Sequence, residues 1–242
     1  MSQKMNEYGQ PIGETVSEWG PAQLPPRVLM QGRFCRLEPL DILTHVDELF
    51  EAFSSGEAGG LWTYMPMGPF AEVAELKSWM DAACAGEDPV FYAVINELTG
   101  KAVGFASYLR INPAVGLIEV GFIVFSPQLQ KTAMATEAMY LMMRCVFDEL
   151  GYRRYEWKCD ALNAPSRKAA LRFGFSFDGI FEQATIYKGR NRDTAWYSIL
   201  DRDWPTMKTA FTQWLAEDNF DEQGQQKQVL SQPLAKAQSN QV

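Results

Sequence analysis

"GLIEVGFIVFSPQLQKTAMATEAMYLMMRCVFDELG" runs from Gly116 to Gly151. It opens as an apolar, strand-like run with one carboxylate, Glu119, near its start. Ser126 and Pro127 end that run, a short polar loop follows, and a long helix is expected from Ala133 to Leu150. Gly151 stands where a left-handed residue closes a helix. A strand, a loop and a helix start in this order expose the unbonded N–H groups of the first helical turn at the loop. Together with the helix dipole, those groups bind anions such as a pyrophosphate. Gln130-Lys131-Thr132-Ala133-Met134-Ala135 supplies two alanines and a threonine, small enough for a phosphate to approach the backbone. Many such turns bind nothing, so the rest of the chain has to decide.

Upstream, Gly32–Leu40 alternates as a short strand, and "DILTHVDELFEAFS" places Leu43, Val46, Phe50 and Phe53 at helical spacing. His45 lies about 200° round that helix from Leu43 and is expected to face solvent. A Gly- and Pro-rich loop from Gly56 to Phe70 carries Trp62, Tyr64 and Met65; a second helix follows with Val73, Leu76 and Met80 on one face. "DPVFYAVINELTGKAVGFASYLRIN" reads as two strands joined at Leu98-Thr99-Gly100. Downstream come a strand in "YRRYEWKCDA", a short helix capped by Asn163 with Pro165 in its first turn, a hairpin linked near "KGRNRD", and a final helix starting around Pro205. Consecutive strands followed by strands alternating with helices give an α/β chain with a mixed sheet and helices on both faces.

The chain has 242 residues, enough for one medium domain with tails and a sizeable core. Residues 1–26 read as an extended arm, residues 27–216 as a single domain, and the Gln/Ser/Ala-rich residues 217–242 as a disordered polar tail. The net charge of −8 is spread over the arm, the body and the tail, without the clustered Lys and Arg that nucleic-acid binding needs. Four cysteines without CxxC spacing and a single histidine argue against a zinc or iron–sulfur site, so no metal is expected. The first twenty residues have no apolar core of a signal peptide, and no apolar run reaches the about 18 residues of a membrane span. A cytoplasmic protein is expected, without membrane or nucleic-acid partners; a homodimer is left open.

Two motifs add a resemblance. Ile123, Phe125 and Pro127 precede Gln130-x-x-Ala133-x-Ala135, and further on come Asn163, Ser166 and the pair Gly174-Phe175. In this order, and on these expected elements, they resemble the GNAT superfamily of N-acetyltransferases, in particular the branch named for the RimJ/RimL ribosomal-protein acetyltransferases. The resemblance covers roughly Arg33 to Trp204. It implies the GNAT fold: a mostly antiparallel central sheet with a splayed strand pair that holds the coenzyme. It implies acetyl-CoA as cosubstrate, its pyrophosphate on the backbone N–H groups of Gln130, Lys131, Thr132, Ala133, Met134 and Ala135. Its pantetheine arm would pair with the backbone of Ile123, Val124 and Phe125, as a peptide adds to a sheet edge. Asn163 would also contact the coenzyme. Lys131 reads equally as a phosphate contact or a solvated lysine.

The sequence departs from the family pattern twice. Ala133 replaces the first loop glycine, which a helical backbone tolerates and a left-handed one would not. The tyrosine that many members carry seven residues after the Asn is Ala170 here. Ser166 is the nearest hydroxyl to take the acid's role; its plain role is a first-turn cap or a contact to the coenzyme. Glu119, in an otherwise apolar strand, is expected to take the acceptor's proton, alone or through water, or else to bond a neighbouring strand or the Trp62 loop. Trp62, Tyr64 and Met65 would wall the acceptor site or simply lid the core. The expected function is acetyl transfer from acetyl-CoA to a primary amine, of a small molecule or of a peptide N-terminus, in a ternary complex. The alternative is a CoA-binding regulatory or scaffold protein without turnover.

Overall fold

A computed structural model of the protein describes residues 4–55 and 58–230. β1 (Lys4–Met5) and β2 (Pro11–Ile12) form a small separate hairpin. The central sheet is built from β3 (Met30–Gln31), β4 (Cys35–Pro39), β5 (Val90–Asn96), β6 (Ala102–Asn112), β7 (Leu117–Phe125), β8 (Arg154–Asp160), β9 (Ser176–Tyr187) and β10 (Arg190–Leu200). Their spatial order is β3-β4-β5-β6-β7-β8-β10-β9. The α-helices among the described residues are α1 (Ile42–Ser54), α2 (Val73–Ala83), α3 (Ala133–Arg144), α4 (Ala164–Arg172) and α5 (Trp204–Leu215).

Every pairing in the large sheet is antiparallel except β7 with β8. A parallel pair needs a crossover, and α3 provides it. This is the mixed α/β sheet expected from the order of elements, mostly antiparallel as the family resemblance implies. β5 explains why the core has two halves. Val90, Tyr92 and Val94 pack into the cluster beneath α3 and α5, while Phe91, Ala93 and Ile95 pack into the one beneath α1 and α2. A strand covered on both faces reads as a continuous apolar run, as "VFYAVI" does.

The structure corrects the reading of α1. His45 is 3% exposed; its Nδ1 accepts the N–H of Asp41 at 3.0 Å, and its Nε2 lies 3.2 Å from Glu38 Oε2. Leu43 is 85% exposed. Asp41 caps the helix through Thr44 N–H, so Leu43 falls in the first turn and points outward. The buried stripe is His45, Val46, Leu49, Ala52 and Phe53. The last turn of the long helix is also altered: Cys145–Glu149 widen into a π turn before Gly151, at φ +75°, ends it.

Described segments on either side of the domain are tied to the body. Trp19 donates its indole N–H to Ala114 O at 2.9 Å and packs against Gly116, where φ of +68° and the indole leave no room for a Cβ. Residues 217–230, expected to be disordered, contain a 3-10 turn at Glu217–Asn219 and a bridge between Phe220 and Gln226. Asn219 ties this segment to α5: its side chain donates to Trp214 O and accepts from Gln228 N–H, and Leu230 is buried. The remainder of that expected tail, residues 231–242, lies outside the described residues.

Candidate active site

The β7–β8 ladder has four rungs, from Leu117–Arg154 to Val120–Trp157, and then stops. Beyond it the strands part, and a cleft of about 1800 Å³ opens between them. β7 itself changes direction there. Phe105 pairs with Val124 and Ser107 with Gly121, so Phe122 and Ile123 together oppose Ala106. This is a β-bulge, with Phe122 at φ +47°. The far side of β7 past Val120 is thus an open strand edge facing the cleft.

α3 begins at the mouth of this opening. Thr132 is its N-cap, accepting from Ala135 N–H through Oγ1 at 3.2 Å. Gln130 N–H is bound to Ser126 O at 3.0 Å. Between these two, the N–H groups of Lys131, Thr132, Ala133 and Met134 have no acceptor among the described residues. Ala133 is the first helical residue, so its Cβ meets no backbone penalty. The left-handed position is Lys131, at φ +61°. Four free donors at a helix N-terminus, beside an open strand edge, suit a phosphorylated and partly extended ligand.

Ile123, Phe125, Gln130, Lys131, Thr132, Ala135, Asn163, Ser166, Glu119, Tyr64 and Met65 all line the cleft. Val124, Ala133 and Met134 do not present side chains to it, and Val124 is buried in the core. Trp62 is elsewhere: it is 3% exposed and packed edge-on against Phe53 and Phe70. Its carbonyl accepts from Lys188 Nζ at 2.8 Å. It lids the lower core and does not wall the cleft. Asn163 caps α4 through Ser166 N–H at 3.1 Å. Ser166 Oγ in turn accepts the indole N–H of Trp157 at 3.0 Å. Ala170 is wholly buried, facing away from the cleft into the core.

Glu119 is 4% exposed and is not alone. Its Oε2 accepts from Arg110 Nη1 at 2.8 Å and lies 2.8 Å from Lys158 Nζ. Lys158 also sits 2.8 Å from Glu156 Oε2 and 3.8 Å from the centre of the Trp196 ring. Glu156 and Arg154 continue the series, and Arg154 reaches Asp178 on β9 at 2.6 Å. Charges of alternating sign therefore cross the sheet from β6 to β9 at the foot of the cleft. Each buried charge has an opposite neighbour, which offsets part of the cost of taking it out of water.

Reading the sequence alone missed Lys158, Arg110, Trp196 and Tyr187. Tyr187 donates to Asp160 Oδ2 at 2.7 Å, and burial, with that carboxylate beside it, pushes its phenol up to about 12. A signal for Lys158 existed: Glu156, Lys158 and Asp160 alternate along one strand and so share a face, and three charges on one face of a buried strand require a polar site. Among the described residues no group of His, Cys, Asp and Glu could hold a metal ion, and no helix is long and apolar enough to cross a membrane.

Residues 35–176 match the family model described as an acetyltransferase (GNAT) domain. The fold is similar to the crystal structure of a GCN5-related N-acetyltransferase from Brucella melitensis. The two share 49% identity with a TM-score of 0.87, over 89% of this chain and 97% of that one. An uncharacterized N-acetyltransferase, p20, of Bacillus licheniformis is 26% identical over 58% of this chain and 80% of its own length. The spermidine N-acetyltransferase of Vibrio cholerae, solved with CoA and spermine, shares the fold at 15% identity and a TM-score of 0.56, over 69% of this chain and 96% of that one.

Proposed function

The chain belongs to the GNAT family of N-acetyltransferases, and from that premise we propose that it moves the acetyl group of acetyl-CoA directly onto a primary amine held in the same cleft. The observation that carries this reading is the end of the β7–β8 ladder beside four unbonded N–H groups. The pyrophosphate goes to the N–H groups of Lys131, Thr132, Ala133 and Met134, a narrower set than the motif alone implies. The pantetheine arm runs along the open edge of Ile123 to Phe125. Within the family, the motif spacing favours the RimJ/RimL-like branch.

In the proposed reaction the amine nitrogen attacks the thioester carbonyl carbon. Backbone N–H groups at the β7 bulge stabilise the negative oxygen that forms. The C–S bond then breaks, and the thiolate takes a proton. Ser166 is the assigned donor: its oxygen already accepts the Trp157 indole, which fixes the hydroxyl beside the cleft. Glu119 receives the amine's proton, through Oε1. That oxygen accepts no hydrogen bond among the described residues, whereas Oε2 is engaged by two cations. The Lys158 and Arg110 contacts hold the carboxylate in place.

The test is a melting-temperature scan with CoA and acetyl-CoA, run beside an assay of free thiol released across an amine panel. A ligand at about a hundred times its Kd adds roughly 2.7 kcal/mol. No shift at millimolar coenzyme sinks the proposal. A shift without thiol release for any amine favours binding without turnover.

A further inference from the structure

Arg110 is a cleft residue whose one contact to Glu119 leaves most of its guanidinium without a task in the transfer chemistry, and the fold goes to some length to place it. Leu109 pairs with Glu119 and Asn112 with Leu117, so Arg110 and Ile111 together oppose Ile118. This second bulge has Arg110 at φ +48°, a left-handed conformation that an arginine adopts at a cost. Asp88 holds it there, accepting Arg110 N–H at 3.1 Å and Ile111 N–H at 3.0 Å. Strain of this kind persists where surrounding contacts over-determine it, and it clusters at functional sites. The result is a guanidinium that reaches Glu119 Oε2 at 2.8 Å while its side chain stays 60% exposed in the cleft.

Resting on the acetyltransferase reading above, we infer that Arg110 and Glu119 form a two-point acceptor site, and that the acceptor is an amine carrying a carboxylate within a few bonds of the nitrogen. Glu119 Oε1 is open to the amine. The exposed edge of the Arg110 fork is open to the acid, and guanidinium and carboxylate match as paired donors and acceptors. The two groups are in contact, so a ligand bridging them must carry its charges equally close, as an amino acid does. The surroundings disfavour a polyamine. Arg110, Lys158 and Arg154 balance Glu119, Glu156 and Asp178, so the cluster offers no net negative charge to a bare polycation. Arg192, on the same cleft, has no carboxylate partner among the described residues, which adds to its pull on an anionic group.

The test measures thiol release from acetyl-CoA by the full chain with a panel of amino acids, each beside its carboxamide, and with spermidine. The readout is the ratio of kcat/KM for acid over amide, in wild type and in Arg110→Ala. Expected are a ratio of about 10–100 for at least one amino acid, the weight of one charge-assisted contact, and its collapse toward one in the variant, with Arg110→Lys between. Equal or better use of the amide, preference for spermidine, or a ratio that survives Arg110→Ala overturns the inference. So does a panel silent throughout while CoA still raises the melting temperature. Loss of that CoA shift in wild type would instead overturn the acetyltransferase reading beneath it.

Discussion

Lys158 Nζ and Glu119 Oε2 lie 2.8 Å apart across neighbouring strands, beside the last rung of the parallel ladder. Both side chains are about 5% exposed. Replacing Lys158 by Met leaves Glu119 and Glu156 facing each other without the cation between them. Removing one partner of a buried pair costs about 3–5 kcal/mol. Urea unfolding of Lys158→Met should show a loss of that size, and adding Glu156→Gln should restore part of it. A cost below about 1 kcal/mol in the single variant, on the scale of an exposed pair, would mean that the charges do not act as a connected set.

Glu137 is a further buried carboxylate with a legible task. Its oxygens accept the N–H groups of Arg33, Phe34 and Cys35 at 2.8, 2.6 and 2.8 Å, fixing the start of β4 against α3. Hydrogen bonds to a charged group contribute about 1.5–3 kcal/mol each. Glu137→Gln keeps the shape but turns a donor toward these N–H groups, so a loss of about 2–4 kcal/mol is expected. Gly32→Ala should act in the same direction, since its Cβ would fall 2.5 Å from the Glu137 carboxyl. Turnover per folded molecule should hold in both; a drop in kcat without a drop in stability would assign Glu137 to the chemistry.

The loop before α3 carries its strain at Lys131, not at Ala133. Lys131→Gly should stabilise the free protein by ~0.5–1 kcal/mol by relieving the left-handed backbone. If the Lys131 ammonium contacts phosphate, the same change weakens CoA binding most at low ionic strength; equal affinity at all salt concentrations marks a solvated lysine. Ala133→Glu should abolish the CoA-induced melting shift while leaving the fold intact, because it sets a carboxylate among the four free N–H groups.

Alkali should unfold the protein steeply. Burial raises the phenol of Tyr152 to about 12 and pushes those of Tyr92, Tyr108 and Tyr155 above their ordinary range as well. In the unfolded chain each titrates near 10. Above that pH the unfolded state sheds protons that the folded state keeps, so stability is full below about pH 10 and falls as pH rises through the window above it. Each of the four withdraws on the order of 1 kcal/mol by pH 10.5. Melting temperature should be nearly flat to about pH 9.5 and then decline, with phenolate absorbance appearing together with unfolding. Phenolate signal from these residues in a protein that remains folded would refute this.

What was legible in the sequence was what periodicity and punctuation control: β5 as a doubly covered strand, the Asn163 cap, the strand–loop–helix at Gly116–Gly151. His45 was misread because the stripe was phased from Leu43, and only the cap at Asp41 reveals that Leu43 sits in the frayed first turn. The charge series through Lys158 was missed because its members come from four strands, and strand adjacency is set by the crossover, not by spacing along the chain. Both bulges escaped for a similar reason: nothing in Arg110 or Phe122 announces a left-handed backbone, which the Asp88 clamp and the sheet register impose from outside.

The segment after α5 has a practical consequence. Phe220 meets Phe34 and Trp214 edge-on, and Gln226 both accepts the Trp214 indole N–H at 2.8 Å and lines the cleft. Trimming the protein back to Leu215, an obvious step for anyone who takes the polar composition of the last residues as licence, would unseal a wall of the cleft and strip an aromatic brace from Phe34, just ahead of β4. The exposed hairpin at Lys4–Ile12 is the safer place for a tag or a surface tether.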